Sequence, residues 1–310
     1  FIKDITTGKP LNFDEYSLYA GTSWFFVDPR MNKTLDYLFI DEAGQVALGT
    51  TIANATSAKN LVLIGDQMQL SQPMRAKHEG YARMSSLDFV LEDNDTIPAD
   101  KGVFLNVTRR LNNKICDYIS SSFYDSRLTS DSITKTRSVN LKLNSIKDEG
   151  IFYVPIDHSG CSQRSDEEAD LVEKTFNKII NKDFKNGKST GKISAKDIMV
   201  VAPYNAQANN IRERLKKKYD DVRVGTIDLF QGQEAKVVLI SMTTSDVDSL
   251  PRHKDFFFSR NRLNVAISRA ECVAIIIFNE KLLLASTNSI EEMKLMNNFC
   301  KLLKFKTNYN

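Results

Sequence analysis

Apolar residues fall into short runs, each closed by polar or glycine residues. The runs are Tyr37 to Ile40, Leu61 to Ile64, Val103 to Val107, Ile151 to Val154, Ile198 to Ala202, Val237 to Met242 and Cys272 to Phe278. Being apolar at nearly every position, they predict strands covered on both faces, as in a parallel sheet. Between them the period lengthens. Leu111, Ile115, Ile119 and Phe123 recur every four residues and make one helical stripe. Ser165 and Glu168 form a capping-box pair ahead of Leu171, Val172, Phe176, Ile179 and Ile180, and Ala208, Ile211 and Leu215 make a third stripe that ends in Lys216, Lys217 and Lys218. Strands alternating with helices predict an α/β fold with parallel sheets. The polar stretch Asp93 to Lys101, with Asn94 and Pro98, predicts a boundary between a first domain over 1–100 and a second over 101–310. Residues 183–196, rich in Lys, Gly and Ser, predict a surface loop inside the second domain.

With 310 residues, 42% of them hydrophobic, the chain can bury the cores of about two domains. Forty-two Lys and Arg against 39 Asp and Glu leave a net charge of +3, so any nucleic-acid face has to be local. Cys116, Cys161, Cys272 and Cys300 are far apart, which predicts reduced thiols in a cytoplasmic protein. With three histidines and no Cys-x-x-Cys pair, a zinc site is not expected. No apolar run is long enough to span a bilayer, so no membrane partner is expected.

Four blocks carry chemistry. Leu38-Phe39-Ile40-Asp41-Glu42-Ala43-Gly44-Gln45 delivers two adjacent carboxylates at the carboxyl end of a strand, where open parallel sheets bind ligands. One carboxylate can hold nucleotide-bound Mg²⁺ and its neighbour can orient the attacking water. A plain acidic turn after a strand reads the same way. Gly65-Asp66-Gln67-Met68-Gln69-Leu70 offers glutamine amides that donate and accept together, although a solvated turn explains that block equally well. Val224-Gly225-Thr226-Ile227-Asp228-Leu229-Phe230-Gln231-Gly232-Gln233-Glu234 has two glycines that permit close backbone approach to a ligand. Asn261-Arg262-Leu263-Asn264-Val265-Ala266-Ile267-Ser268-Arg269-Ala270 sets two arginines seven apart. Either arginine could neutralise charge on a transferring phosphoryl group or simply pair with a surface carboxylate.

In order and spacing these blocks resemble motifs II, III, V and VI of superfamily 1 helicases, over about residues 20–300. The forms Asp41-Glu42-Ala43-Gly44-Gln45 and Val265-Ala266-Ile267-Ser268-Arg269-Ala270 resemble the group of the nonsense-mediated-decay helicase. Ile198 to Gln207, which includes Tyr204, and Met293 to Cys300 look closest to bacterial fusions of such a motor to a RecB-like nuclease. The resemblance implies two RecA-like domains, the first truncated at its amino side, that bind ATP and Mg²⁺ and move along single-stranded nucleic acid. DNA is favoured over RNA, with 5′ to 3′ movement. It implies that Asp41 holds Mg²⁺, Glu42 activates water, Gln69 senses the γ-phosphate, Arg110 is the motif IV arginine and Arg269 the arginine finger. Gln231, Gly232 and Glu234 are implied at the nucleotide, and Thr22 and Thr226 at the nucleic acid. Asp41, Glu42 and Gln69 are expected on one wall of a cleft, facing Arg110, Gln231 and Arg269.

Two departures qualify the match. Arg109 stands where motif IV has an aromatic residue, so Arg109 competes with Arg110 for the sensor role. No Gly-x-x-x-x-Gly-Lys-Ser/Thr loop precedes Asp41, and Gly187-Lys188-Ser189-Thr190 imitates only its end, with Lys182 where the first glycine belongs. Together with the start at Phe1, this predicts a fragment that needs an amino-terminal segment of the same protein and is inactive alone. Two other readings compete: a binding module that hydrolyses nothing, and a metal-dependent nuclease using Asp228 and Glu234-x-Lys236.

Overall fold

The computed structural model of the chain describes residues 16–70, 79–92, 94–143, 146–187, 189–245, 258–287 and 289–306. Asp93 and Lys188 of the sequence reading lie outside the described residues. The chain divides into two units: one uses the described residues up to Gln67 and those between 71 and 93, the other uses Met68–Leu70 and the chain from Asn94 onward.

In the first unit, strand β1 (Leu35–Ile40) runs parallel to β2 (Ala58–Leu63), with helix α1 (Leu48–Ala55) between them in sequence. Helix α2 (Ser86–Leu91) starts at a complete Ser85/Asp88 capping box. Strand β1 is not covered on both faces as its composition predicts. Leu38 and Ile40 are buried, whereas Tyr37 and Phe39, on the alternate face, are about 60% exposed.

The second unit is built on a five-stranded, wholly parallel sheet. Its strands are β3 (Gly150–Pro155), β4 (Ile198–Val201), β5 (Arg223–Gly225), β6 (Ala235–Ser241) and β7 (Ala270–Phe278), in the order β5-β4-β6-β7-β3. Alternate residues feed two separate cores, which is why the middles of these strands are apolar on both faces. Met199, Val238, Ile240, Ala274 and Ile276 pack with α3 (Asn113–Phe123) and α6 (Arg260–Ser268). Val200, Val237, Leu239, Val273 and Ile275 pack against α4 (Asp166–Ile179) and α5 (Asn205–Lys216). The three predicted stripes are the buried faces of α3, α4 and α5. The fold is the expected α/β, RecA-like kind.

Two further expectations fail. Val103 to Val107 is not a core strand: only Val107–Thr108 pair, with Thr129–Ser130, and Val103 and Leu105 are exposed. The predicted loop within 183–196 is instead an antiparallel hairpin, Asp183–Asn186 with Ser189–Lys192.

Two glycines set the turns after β1 and β2. The Ala43 amide donates to Ile64 O at 2.9 Å, drawing the two turns together backbone to backbone. A Cβ on Gly65 would lie 2.8 Å from Ala43 N and 3.0 Å from Leu87 Cδ1, and one on Gly44 would lie 3.0 Å from Asp66 O. Gly65→Ala should therefore cost about 1–3 kcal/mol, the usual range for forced overpacking. Gly49→Ala, with open space at its Cβ inside α1, should be neutral or stabilising by about 0.5–1 kcal/mol. Urea midpoints of the two variants check the pair, and equal midpoints would disprove the packing account.

Candidate active site

Asp41 and Glu42 stand at the carboxyl end of β1, both exposed. Glu42 adopts a left-handed backbone, φ 53° and ψ 39°, which a non-glycine residue holds only at a cost. Its amide donates to Asp41 Oδ1 at 2.9 Å, and Gln45 Nε2 approaches Glu42 Oε2 at 3.4 Å. The turn thus presents two neighbouring carboxylates to solvent, a donor set of the hard oxygens that Mg²⁺ prefers.

In the second unit, motifs V and VI meet at the amino ends of two adjacent strands. Gln233 and Glu234 lead into β6, Arg269 leads into β7, and the Ala235 amide donates to Arg269 O at 2.9 Å. Arg269 is 2% exposed. Its guanidinium donates to Gln233 O at 3.1 Å and to Gln69 Oε1 at 3.3 Å. Gln69 is thus bonded directly to Arg269, the residue it was expected to face. Met68–Leu70 belong to the second unit, where Asn264 Nδ2 donates to Met68 O at 2.8 Å and Asn261 Nδ2 bonds Gln69 O. The neighbouring carboxylates Glu271 and Glu280 pair instead with Arg137 and Lys306.

Arg110 Nε donates to Glu234 Oε2 at 2.8 Å, and Arg137 donates to Arg110 O at 2.9 Å. Arg109 is largely exposed and lies 3.6 Å from Asp131. Of the two competing arginines, Arg110 is the one joined to the motif V loop. Gly232 turns that loop with φ +73°, and Arg223 ties it down through Gln233 Oε1 at 2.8 Å and Glu234 O at 2.9 Å. Gln231 is half-buried beside Gly232. Arg262 makes a bidentate pair with Asp228, at 3.0 and 3.2 Å.

Thr22 precedes the helical turn Ser23–Phe26 and Thr226 precedes the 3₁₀ turn Ile227–Phe230, neither using its hydroxyl as a cap. In the Lys216–Lys218 tract, Lys218 is held by Glu173 at 2.9 Å. The nuclease grouping is not assembled. Asp228 goes to Arg262, Glu234 to Arg110 and Lys236 to Asp197.

Sequence reasoning missed a buried network at the opposite, carboxyl edge of the sheet. Ser165 caps α4, but Glu168 does not complete the box. Its side chain turns inward, fully buried, and accepts from Ser241 Oγ at 2.6 Å and the Thr243 amide at 2.7 Å. Its other oxygen lies 3.1 Å from His158 Nε2. Gln207, also fully buried, bonds both the amide and carbonyl of Ser165 and reaches Ser241 Oγ. This network gives Gln207 a positioning task, while the Tyr204 hydroxyl is buried.

No helix among the described residues is long and apolar enough to cross a membrane. Residues 85–281 match the family model AAA_12, described as an AAA domain. The chain is 30% identical over 249 residues to the DNA polymerase alpha-associated DNA helicase A of Schizosaccharomyces pombe, covering 76% of this chain and 36% of that protein. It is 30% identical over 254 residues to helicase sen1 of the same yeast, covering 78% of this chain and 14% of that protein. It is 27% identical over 243 residues to the mouse DNA-binding protein SMUBP-2, covering 76% of this chain and 24% of that protein. The chain thus spans well under half the length of these relatives. Matched by that model over more than half its length, and carrying helicase motifs in their order, the chain belongs to the AAA_12 family of AAA domains as a superfamily 1 helicase domain.

Proposed function

We propose that the chain is part of an ATP-dependent motor that moves on single-stranded nucleic acid, DNA in preference to RNA, in the 5′ to 3′ direction. The observation that carries this reading is the buried Arg269, whose donors reach Gln69 of one motif and Gln233 of another. A buried guanidinium in a ring of motif residues is suited to charge that shifts on a phosphoryl group, because its fork is preorganised and desolvated. In this reading Asp41 holds Mg²⁺, which screens the phosphate charge, and Glu42 takes the proton of the attacking water. Gln69 and Arg269 meet the γ-phosphate. Arg110, Gln231, Gly232 and Glu234 hold the nucleotide. Thr22 and Thr226 contact the strand backbone. The relatives named as DNA helicases and as a DNA-binding protein support the choice of DNA. The four free cysteines support a reducing, cytoplasmic setting.

The phosphate-binding loop, whose backbone amides and lysine cradle the β- and γ-phosphates, is expected from an amino-terminal segment of the same protein. Phosphate release measured with single-stranded DNA or RNA should therefore be strongly stimulated for the complete protein and absent for the 310-residue chain. Robust turnover by the chain alone would overturn the need for that loop. Lack of stimulated turnover in the complete protein would overturn the motor.

A further inference from the structure

The loop that follows β3 folds back under α4 and brings three chemically distinct ligand groups together. A ring nitrogen of His158, Cys161 Sγ and a Glu167 carboxylate oxygen lie within 4.8 Å of one another. The His158 side chain is wholly buried. Its Nε2 faces Glu168 Oε1 at 3.1 Å, while Nδ1 is buried with no hydrogen-bond partner. An imidazole nitrogen closed off from water and left unpaired is costly unless something binds it. The thiol donates to Ser159 O at 3.7 Å and to Glu167 Oε2 at 3.8 Å.

We propose that His158 through Nδ1, Cys161 and Glu167 bind one zinc-type divalent cation, with Glu168 orienting the histidine from behind. One nitrogen, one sulfur and one carboxylate suit a borderline-soft ion and not Mg²⁺ or Ca²⁺, which take oxygen ligands. A carboxylate on the far nitrogen of a metal-bound histidine is the usual arrangement, because it fixes the tautomer and raises the basicity of the ligating nitrogen. Zinc bonds of about 2.0–2.3 Å place tetrahedral ligand atoms about 3.3–3.8 Å apart, so the set has to draw in. Glu167 is exposed, and its carboxylate, which now accepts from Ser165 Oγ at 3.0 Å, has to give up that bond to supply the movement. The thiolate is the ligand, so the metal has to displace the Cys161 proton, and binding should weaken as pH falls.

The site is anchored as a unit. Asn279 Nδ2 holds His158 O at 2.7 Å, the Cys161 amide and carbonyl bond Ser245, and Glu168 bonds Ser241 and Thr243. A bound ion would therefore pin the loop between β3 and α4 to the chain leaving β6. In the sequence the pair stands as His158-Ser159-Gly160-Cys161, a workable ligand spacing.

The test uses the full chain without an affinity tag, titrated with Co²⁺ alone and with Zn²⁺ against a chromogenic chelator. One equivalent of Zn²⁺ is expected, together with a cobalt–thiolate charge-transfer band. Cys161→Ser should abolish the band and weaken Zn²⁺ binding by at least about tenfold, while Cys300→Ser should change neither. Glu167→Gln sits on an exposed side chain, so it should preserve the fold by circular dichroism and still weaken Zn²⁺ by about tenfold, which keeps the proposal testable if Cys161→Ser fails to fold. Absence of the band, its survival in Cys161→Ser, its loss in Cys300→Ser, or unchanged Zn²⁺ affinity in Glu167→Gln would each overturn the site.

Discussion

Arg269→Ala in the complete protein should lower ATP turnover by about a thousandfold or more, while affinity for a single strand without nucleotide stays nearly unchanged. The expectation follows from where the charge is. Arg269 is among the largest fully buried side chains, and its donors reach Gln69 and Gln233. In the proposed motor, strand binding rests on other basic groups, so anisotropy on the nucleotide-free variant should report little. Because the residue is buried, alanine also risks destabilising the fold, by about 1–3 kcal/mol for each buried acceptor left without its donor. Arg269→Lys separates the two effects: it keeps a cation but loses the planar fork, so it should recover stability without recovering rate. A surface ion pair would behave differently, costing about a kilocalorie or less and leaving turnover intact. Normal hydrolysis in Arg269→Ala, with the fold verified by thermal melting, would remove the assignment and move it to Arg110 or Arg262.

Much of the second unit was readable because its physics is local and periodic. The stripe Leu111, Ile115, Ile119 and Phe123 needs only the helical period, and a strand such as Cys272 to Phe278 is apolar throughout because both of its faces are covered. Val103 to Val107 has the same composition but no neighbouring strands in the main sheet, a property no window of sequence contains. The hairpin at 183–192 escaped for the converse reason. Its second strand is exposed at every position, so backbone pairing and not burial makes it a strand.

The candidate site divides the same way. Paired carboxylates after a strand and the arginine before another are visible as motifs. Their partners are not. Arg110 meets Glu234 across 124 positions, and Gln69 meets Arg269 across 200. Glu168 shows the limit most clearly. Its spacing from Ser165 fits a capping box, and Ser165 does cap the helix. The carboxylate itself is claimed by Ser241 and Thr243, more than seventy residues away.

Glu42→Gln in the complete protein should stop turnover and spare nucleotide binding, the second large effect expected. The substitution is nearly isosteric and removes only the base, and loss of a general base costs about 10²–10⁴-fold in rate. Glu42 is exposed, and its carboxylate makes a single long contact with Gln45, so the fold should not register the change. Asp41→Asn should do the reverse. A metal ligand that loses its charge weakens the Mg²⁺-nucleotide complex, so the Mg²⁺ concentration needed for half-maximal binding should rise. Asp41 Oδ1 also accepts the Glu42 amide that closes the left-handed turn, and asparagine can keep that bond with its carbonyl oxygen. Any deficit in Asp41→Asn is then one of metal binding and not of backbone geometry. The two variants are compared by titration with a fluorescent ATP analogue across Mg²⁺ concentrations and by steady-state phosphate release. Near-normal hydrolysis in Glu42→Gln would end its assignment as the base. Unchanged Mg²⁺ dependence in Asp41→Asn would move the metal elsewhere.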